Sequence, residues 1–355
     1  MMSTSDSSSQ KPRTPAYEAA SQEQPQADIT PPVGDTPPLV LAREAANGRR
    51  GAAWRLLLWI MQNDPRAVVA VSSLDDDRLA ENLLGFIASG TWAGKSFVVP
   101  VPLRTAHART RLRTLFLPGS GIEYERAERV LLAHIHDKQP AMRETVAHIL
   151  GIIGSPSATP LLIEALDDTS LSVRLQAAKA LGRVGDPAAV PALLSALRGA
   201  DEQLGSQIFS SLVRLGSLAV PALIQRSKSS SAWLRWHCIR ALGEIHDRRA
   251  LPILVDALQD ADHSVAWMGA KGLAQFGKES LKPLLELLMR AEMTPWLAET
   301  ASYVLKSYAR RNAEAKPMLE PLAEGMRQTG FRIGTAVAAQ KALEQLQTAG
   351  MLETA

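Results

Sequence analysis

The stretch VRLQAAKALGRVGDPAAVPALLSAL, Val173–Leu197, returns 61 positions later as LRWHCIRALGEIHDRRALPILVDAL, Leu234–Leu258. Sixty-one positions are two units. Units in the same phase begin at Met142, Val173, Leu204, Leu234 and Val265. Each carries one proline, Pro160, Pro191, Pro221, Pro252 and Pro283, at spacings of 31, 30, 31 and 31. Two residues past each proline stands a leucine (Leu162, Leu193, Leu223, Leu254, Leu285). Another stands eight residues past each unit start (Leu150, Leu181, Leu212, Leu242, Leu273). Two interlocking ladders at one period are the signature of a repeat array.

Each unit predicts two antiparallel helices. In the first, Leu234, Cys238, Ala241, Leu242 and Ile245 fall at i, i+4, i+7, i+8 and i+11, which is one helical face. The second begins near Pro187 or Arg249 and buries Leu193, Leu194 and Leu197. Gly185 stops the first helix, and Asp186 offers an N-cap for the second. One helix pair cannot cover its own apolar face, so neighbours must stack into a superhelix. The fold class expected is an all-α solenoid over residues 122–350. Its polar-faced cap is a helix at 331–349.

The rest of the chain differs from this array. Residues 1–38 hold seven prolines, six serines and four glutamines, with two basic and five acidic residues. Such a segment buries too little apolar surface to offset its ordering entropy, so a disordered tail is expected. Residues 39–121 read as a mixed region. Ala52–Gln62 and Asp76–Ala88 are amphipathic, and Asp64-Pro65 is a helix start. Ser96–Val101 is β-rich, and Arg109–Phe116 alternates with period two, so a β-hairpin competes with a short helix begun at Pro102.

Apolar residues make up 46% of the 355, enough for a large core, which excludes global disorder. Aromatics are only 5%, a balance that favours packed helices over a β-sandwich. The formal charge of +3, from 39 basic and 36 acidic residues, implies no whole-protein grip on nucleic acid. Cys238 is the single cysteine, which excludes an intramolecular disulfide or a multi-cysteine zinc site. The first residues have no apolar run of the secretory type. The strongest apolar run, Leu56–Met61, is six residues long, where a bilayer needs about 20. A soluble, cytoplasmic chain without membrane contact is expected.

The units resemble HEAT repeats, in particular the short type named after phycobilisome lyases. The likeness is close over 138–290 and loose over 291–330. The family's Asp-x4-apolar-Arg feature appears as Asp137/Arg143 and Asp168/Arg174, while Arg235 meets Ser229 and Asp260 meets Ala266. The resemblance implies that these groups form a structural ladder between units. It also implies three kinds of role: a scaffold for partner proteins, a bilin lyase or its helper, or a di-iron hydroxylase. The hydroxylase's His-Glu dipeptides are missing from all seven histidines here.

Other chemistry is sparse. His134, His136 and Asp137 make a poor metal corner, because i and i+2 do not share a helical face. Gly90–Ser96 has the order G-x3-G-K-S, one residue short of a phosphate loop and followed by β-like residues, so a turn before a strand is expected. Cys238 reads as a buried thiol, with His237 and Arg240 able to activate it only if exposed. No cofactor and no metal are expected.

Three surfaces are candidates for binding. Opposite the core face of their helices, Trp233, Trp236 and Arg240 of one unit and Trp267 and Lys271 of the next form an aromatic patch rimmed by charge, expected to bind a protein partner. Four residues past each proline, Glu164, Ser195, Gln225, Asp256 and Leu287 are expected to line a concave groove. On a strand, Arg109, Arg111 and Arg113 would share one face, with Arg104 nearby, and could hold an anion or nucleic acid. No aromatic residue suited to stacking bases stands beside these arginines. The leading expectation is a non-catalytic scaffold, with a lyase-type helper and anion binding as the competitors.

Overall fold

Small residues at two positions of most units set how closely neighbouring unit-start helices approach. In the computed structural model, residues 38–62, 64–72, 77–96, 106–118, 122–326 and 334–353 are described. Five short helices come first: α1 (Pro38–Ala46), α2 (Arg50–Met61), α3 (Pro65–Ser72), α4 (Asp77–Ser89) and α5 (Ala106–Arg113). The helix α6 (Tyr124–His134) leads into the array. The unit-start helices are α7 (Pro140–Ile153), α9 (Leu171–Val184), α11 (Glu202–Leu215), α13 (Ala232–Ile245), α15 (His263–Phe276) and α17 (Pro295–Arg311). Their proline-bearing partners are α8 (Thr159–Glu164), α10 (Ala189–Ala196), α12 (Val220–Arg226), α14 (Leu251–Ala257), α16 (Lys278–Arg290) and α18 (Lys316–Gly325). The last helix, α19 (Thr335–Thr348), packs on α16 and α18. The protein is an all-α solenoid.

The leucine ladders are its core. Leu162, Leu193, Leu223, Leu254 and Leu285 are all fully buried, as are Leu150, Leu181, Leu242 and Leu273. Burying one such side chain stabilises by about 1.5–3 kcal/mol. Where the unit-start helices meet, backbone approaches backbone. A Cβ added at Gly151 would lie 2.6 Å from the Cα of Ala180, at Gly182 2.8 Å from that of Ser211, and at Gly243 2.9 Å from that of Gly272. No larger residue fits there without the helices moving apart. Successive unit-start helices consequently pack more closely than successive proline helices.

Helix ends follow the sequence. Gly154 and Gly185 end α7 and α9 in the left-handed conformation, at φ of 73° and 78°. His246 takes the equivalent position after α13 at φ 59° and stacks on Phe276, with ring centroids 4.1 Å apart. Asp186 caps the following turn, accepting a hydrogen bond from the Ala188 N–H at 2.9 Å. Four of the five phased prolines lie in the first turn of their helix, where a missing N–H costs little. The fifth, Pro283, lies inside α16, because that helix starts a turn earlier.

Two expectations for the N-terminal region need correction. Arg109–Phe116 is not a strand: Ala106–Arg113 is α-helical and Thr114–Phe116 continues as a 3-10 turn. Its apparent alternation is also compatible with a helix that buries Ala108, Leu112, Leu115 and Phe116. The segment 97–105, with Arg104, lies outside the described residues. The strand pair among the described residues is shorter and earlier, β1 (Thr91–Trp92) against antiparallel β2 (Lys95–Ser96). Its turn at Ala93-Gly94 is the loop that resembled a phosphate loop. It is pinned by structure: Trp92 is buried and its Nε1 donates to the Ala45 carbonyl at 3.1 Å, while the Ala93 N–H donates to Asn82 Oδ1.

Candidate functional site

The face of the unit-start helices away from the leucine ladders changes character along the array. Between α9 and α11 it is polar, a cleft of about 630 Å³ lined by Gln176, Lys179, Gln203 and Gln207 among others. From α11 onward it is aromatic. The Arg240 guanidinium of α13 lies 3.9 Å over the Phe209 ring of α11 and 5.3 Å from the Trp236 ring. His237 packs between Trp233 and Trp236, at 4.3 and 4.8 Å. On the next helices Trp267 meets Tyr303 at 4.9 Å, and His263 meets Trp296 at 4.0 Å.

The helical register explains this band. Trp236 and Trp267 stand two residues into their units, and Arg240 and Lys271 six residues in. At about 100° per residue these two positions share one face, opposite the buried Leu234, Cys238 and Leu242. Trp233, Trp236 and Arg240 thus lie together on α13, and Trp267 and Lys271 occupy the matching positions of α15. Trp233 and Trp296 remain 42% and 52% exposed, while Trp236 and Trp267 are half-buried. Sequence reasoning missed Phe209, His237, His263, Trp296 and Tyr303. The signal was present for two of them: Trp296 precedes Leu297 as Trp233 precedes Leu234, and Tyr303 extends the column of Arg240 and Lys271.

The electrostatics of the band are set by burial. His237 is pushed down to about 4, first by burial and then by the Arg240 charge, so its imidazole is neutral at physiological pH. Cys238 on the same helix faces the core, and burial pushes its thiol up to about 12. A thiol that does not ionise is no nucleophile.

The other candidates fare differently. Glu164, Ser195, Gln225 and Asp256 are exposed, but they project from the proline helices, the less closely packed layer. Leu287 is 2% exposed and belongs to the core, on the helix against which α19 packs. The arginine stripe is dispersed. On a helix Arg109 and Arg113 are a turn apart and Arg111 points elsewhere, donating from Nη1 to the Met61 carbonyl at 2.9 Å. Arg113 is half-buried near the Glu144 carboxylate. His134 pairs with Asp137 at 3.3 Å and His136 with Glu164 at 3.5 Å, so the two histidines do not converge.

The arginine–aspartate ladder runs from one unit to the next. Arg143 makes a bidentate contact with Asp168, at 2.6 and 2.8 Å, and Arg235 one with Asp260, at 2.8 and 2.7 Å. Asp260, without an arginine in its own unit, thus takes the arginine of the unit before. The Arg143 guanidinium holds the Asp168 carboxyl below its usual range. Burial raises Asp260, but the Arg235 hydrogen bond, the Asp262 N–H and the Arg235 charge together outweigh this and leave it lowered. Arg174 reaches only the Asp168 and Thr169 carbonyls, because Gly199 stands where the next aspartate would be.

Comparisons with known proteins agree with this architecture. No curated protein matches the chain in sequence. Among solved structures, importin beta aligns at 15% identity over 87% of this chain and 47% of its own, with a TM-score of 0.43. The chain thus spans about half the length of that protein. The CpcE–CpcF complex of phycocyanin lyase from a Nostoc species aligns at 18% identity over 74% of this chain and 98% of its own, TM-score 0.30. An archaeal HEAT-like repeat protein from Thermococcus onnurineus aligns at 14% identity over 57% and 89%, TM-score 0.34. The family model for HEAT repeats matches residues 103–174, 128–212, 159–231 and 220–306. These stretches together cover more than half of the sequence and include the phased helix pairs that carry the aromatic residues, so the chain belongs to the HEAT-repeat family.

Proposed function

We propose that the protein is a non-catalytic scaffold that holds a protein partner on the aromatic face of α13, α15 and α17. The observation that carries this is the exposure of Trp233 and Trp296, each in a cluster of rings, with Arg240 stacked in the first and Lys271 exposed on the helix of the second. Contiguous exposed aromatic surface is rare on a protein that has no use for it. Trp and Arg are also the residues that most often dominate binding energy. HEAT arrays present extended surfaces of this kind to other proteins. Neither the helices before residue 135 nor α19 packs extensively on α13 or α15. Among the described residues no single helix is long and apolar enough to cross a membrane.

The test is a Trp236→Ala, Trp267→Ala double variant beside the parent chain, each used to capture proteins from a lysate and identified by mass spectrometry. A partner held by the parent and lost by a variant of unchanged melting temperature supports the proposal. An identical captured set from a folded variant refutes it. Retention of a tetrapyrrole or a phycobiliprotein by both would instead favour a lyase-type helper.

A further inference from the structure

Two arginines of the N-terminal region meet cations of the array. Arg113 on α5 is half-buried, and its Nε is buried without a hydrogen-bond partner. The charges of Glu144 on α7 and of Arg109, one turn back, act on it. Its own charge reaches His148, one turn after Glu144, and so do those of Arg183 and Lys179 on α9. His148 Nδ1 lies 3.4 Å from Gln176 Oε1 of α9. Gln176, Lys179 and Arg183 stand at i, i+3 and i+7, which is one face of that helix. Gln176 and Lys179 also line the cleft between α9 and α11, so α5, α7 and α9 all contribute to one charged surface beside it.

The positive charge of this surface is not matched from within. Arg109, Arg113, Lys179 and Arg183 stand against Glu144, which acts on Arg113, and Glu202 in the cleft wall. Among the described residues no carboxylate lies within ion-pairing distance of any of the four cations. Other part-buried arginines of the array are fastened, Arg143 to Asp168 and Arg235 to Asp260. Cations held near one another without carboxylates repel, and an anion laid among them relieves that repulsion.

The cleft narrows the choice of anion. Its wall carries three side-chain amides, Gln176, Gln203 and Gln207, and two hydroxyls, Ser206 and Ser210. Each amide offers donors and an acceptor, the combination that matches a peptide group, whereas a phosphodiester only accepts. No aromatic ring lines the cleft for a nucleic-acid base to stack on. Glu202 opposes a continuous row of phosphates, but a chain with spaced carboxylates can pass it. We infer that this surface binds an acidic segment of a partner protein, its main chain on the amides of the cleft and its carboxylates on Lys179 and Arg183, with Arg109 and Arg113 beyond. The site is separate from the aromatic face of α13, α15 and α17 and does not rest on it.

The experiment uses the full chain and fluorescein-labelled probes followed by anisotropy. The acidic probe is (Glu-Ser-Gly) repeated four times; its neutral control is (Gln-Ser-Gly) repeated four times, and an oligothymidylate of the same length is the nucleic-acid control. The acidic peptide is expected to bind about tenfold or more tightly than either control. A Lys179→Gln, Arg183→Gln double variant of unchanged melting temperature should lose about tenfold, and the loss should shrink at high salt. Gln207→Ala, which removes an amide and no charge, should weaken the peptide at every salt concentration. The His148 imidazole reports the place of binding. Burial first, then the three nearby cations, hold its pKa below the usual value. Carboxylates brought among those cations should raise it, as read from the His148 ring signals by NMR with peptide at saturation. Equal binding of the neutral peptide, binding unchanged in the folded double variant, or a His148 titration unmoved by the peptide overturns the inference. Tighter binding of the oligothymidylate overturns it too, and assigns the surface to nucleic acid.

Discussion

His237 is the residue on which the aromatic band makes its clearest demand. Its ring is wedged between two indoles beside a guanidinium, and its pKa falls from 6.5 to about 4. In the unfolded chain the same imidazole gains a proton as pH falls through about 6.5. The folded protein resists that proton until about 4, so the stability contributed by neutral His237 is complete above 6.5 and lost progressively down to 4. His148 shifts in the same direction, chiefly by burial. Urea midpoints should therefore decline from pH 7 to about pH 5, above the range in which most carboxylates titrate, and His237→Gln should flatten part of that decline. A variant with the parent's full pH slope would show that this imidazole is not the group responsible. The residue was visible in the sequence only as a neighbour of Cys238. What it meets depends on how α13 turns, and that is decided by the burial of Leu234, Cys238 and Leu242.

At the scale of the element, the bidentate pairs show how one helix pair is fastened to the next. The side chains of Arg143 and Asp168 are 13% and 11% exposed, those of Arg235 and Asp260 17% and 12%. Each arginine also donates to two backbone carbonyls of its own preceding loop, Asp137 and Lys138 in one case, Ser229 and Ser230 in the other. The guanidinium thus ties a loop, a helix start and the next unit together. Removing the carboxylate leaves a nearly buried cation with part of its donors unmet, at about 1.5–3 kcal/mol for a charged hydrogen-bonded group. Asp260→Ala and Asp168→Ala should lower the unfolding free energy by that amount in urea titrations. Arg174→Met should cost less than Arg143→Met, because Arg174 serves only the carbonyls. Equal losses for the two arginines would mean the carboxylate contributes nothing. Within a unit, the sequence pairs Asp137 with Arg143; across units, the fold pairs Arg143 with Asp168, 25 residues on. Periodicity alone cannot distinguish these, since both partners recur at the same interval.

For the whole molecule, the third unit is where both fastenings lapse. Gly205 stands at the ladder's arginine position and Ser229 at its aspartate. Val213 takes the place of Gly151, Gly182 and Gly243, which admit close backbone contact. The helices α11 and α13 accordingly pack less closely than any other neighbouring pair from α7 to α17, and a cavity of about 370 Å³ lined by Arg198, Ser229, Ser230, Ser231 and Trp233 lies beside the joint. The stacked Arg240 and Phe209 fill part of the space. Local opening follows low packing and few crossing hydrogen bonds. Hydrogen exchange in residues 227–233 should be faster than in the corresponding stretch 166–172, where Asp168 is fastened to Arg143. Comparable protection in the two stretches would show that the joint is as tight as the rest.

The array itself was legible without coordinates, because its cause is local. A 31-residue period of leucine and proline dictates two helices per unit, and each pair needs a neighbour to cover its apolar face. The aromatic columns were legible for the same reason, as positions on a helix of known pitch. The 109–116 segment was misread as a possible strand because a period of two and a helical face share several positions over eight residues, and only packing separated them. How closely the units stack could not be read from either helix alone. It follows from how near two backbones can come where Gly243 faces Gly272, a contact between residues 29 apart that exists only once the units are stacked.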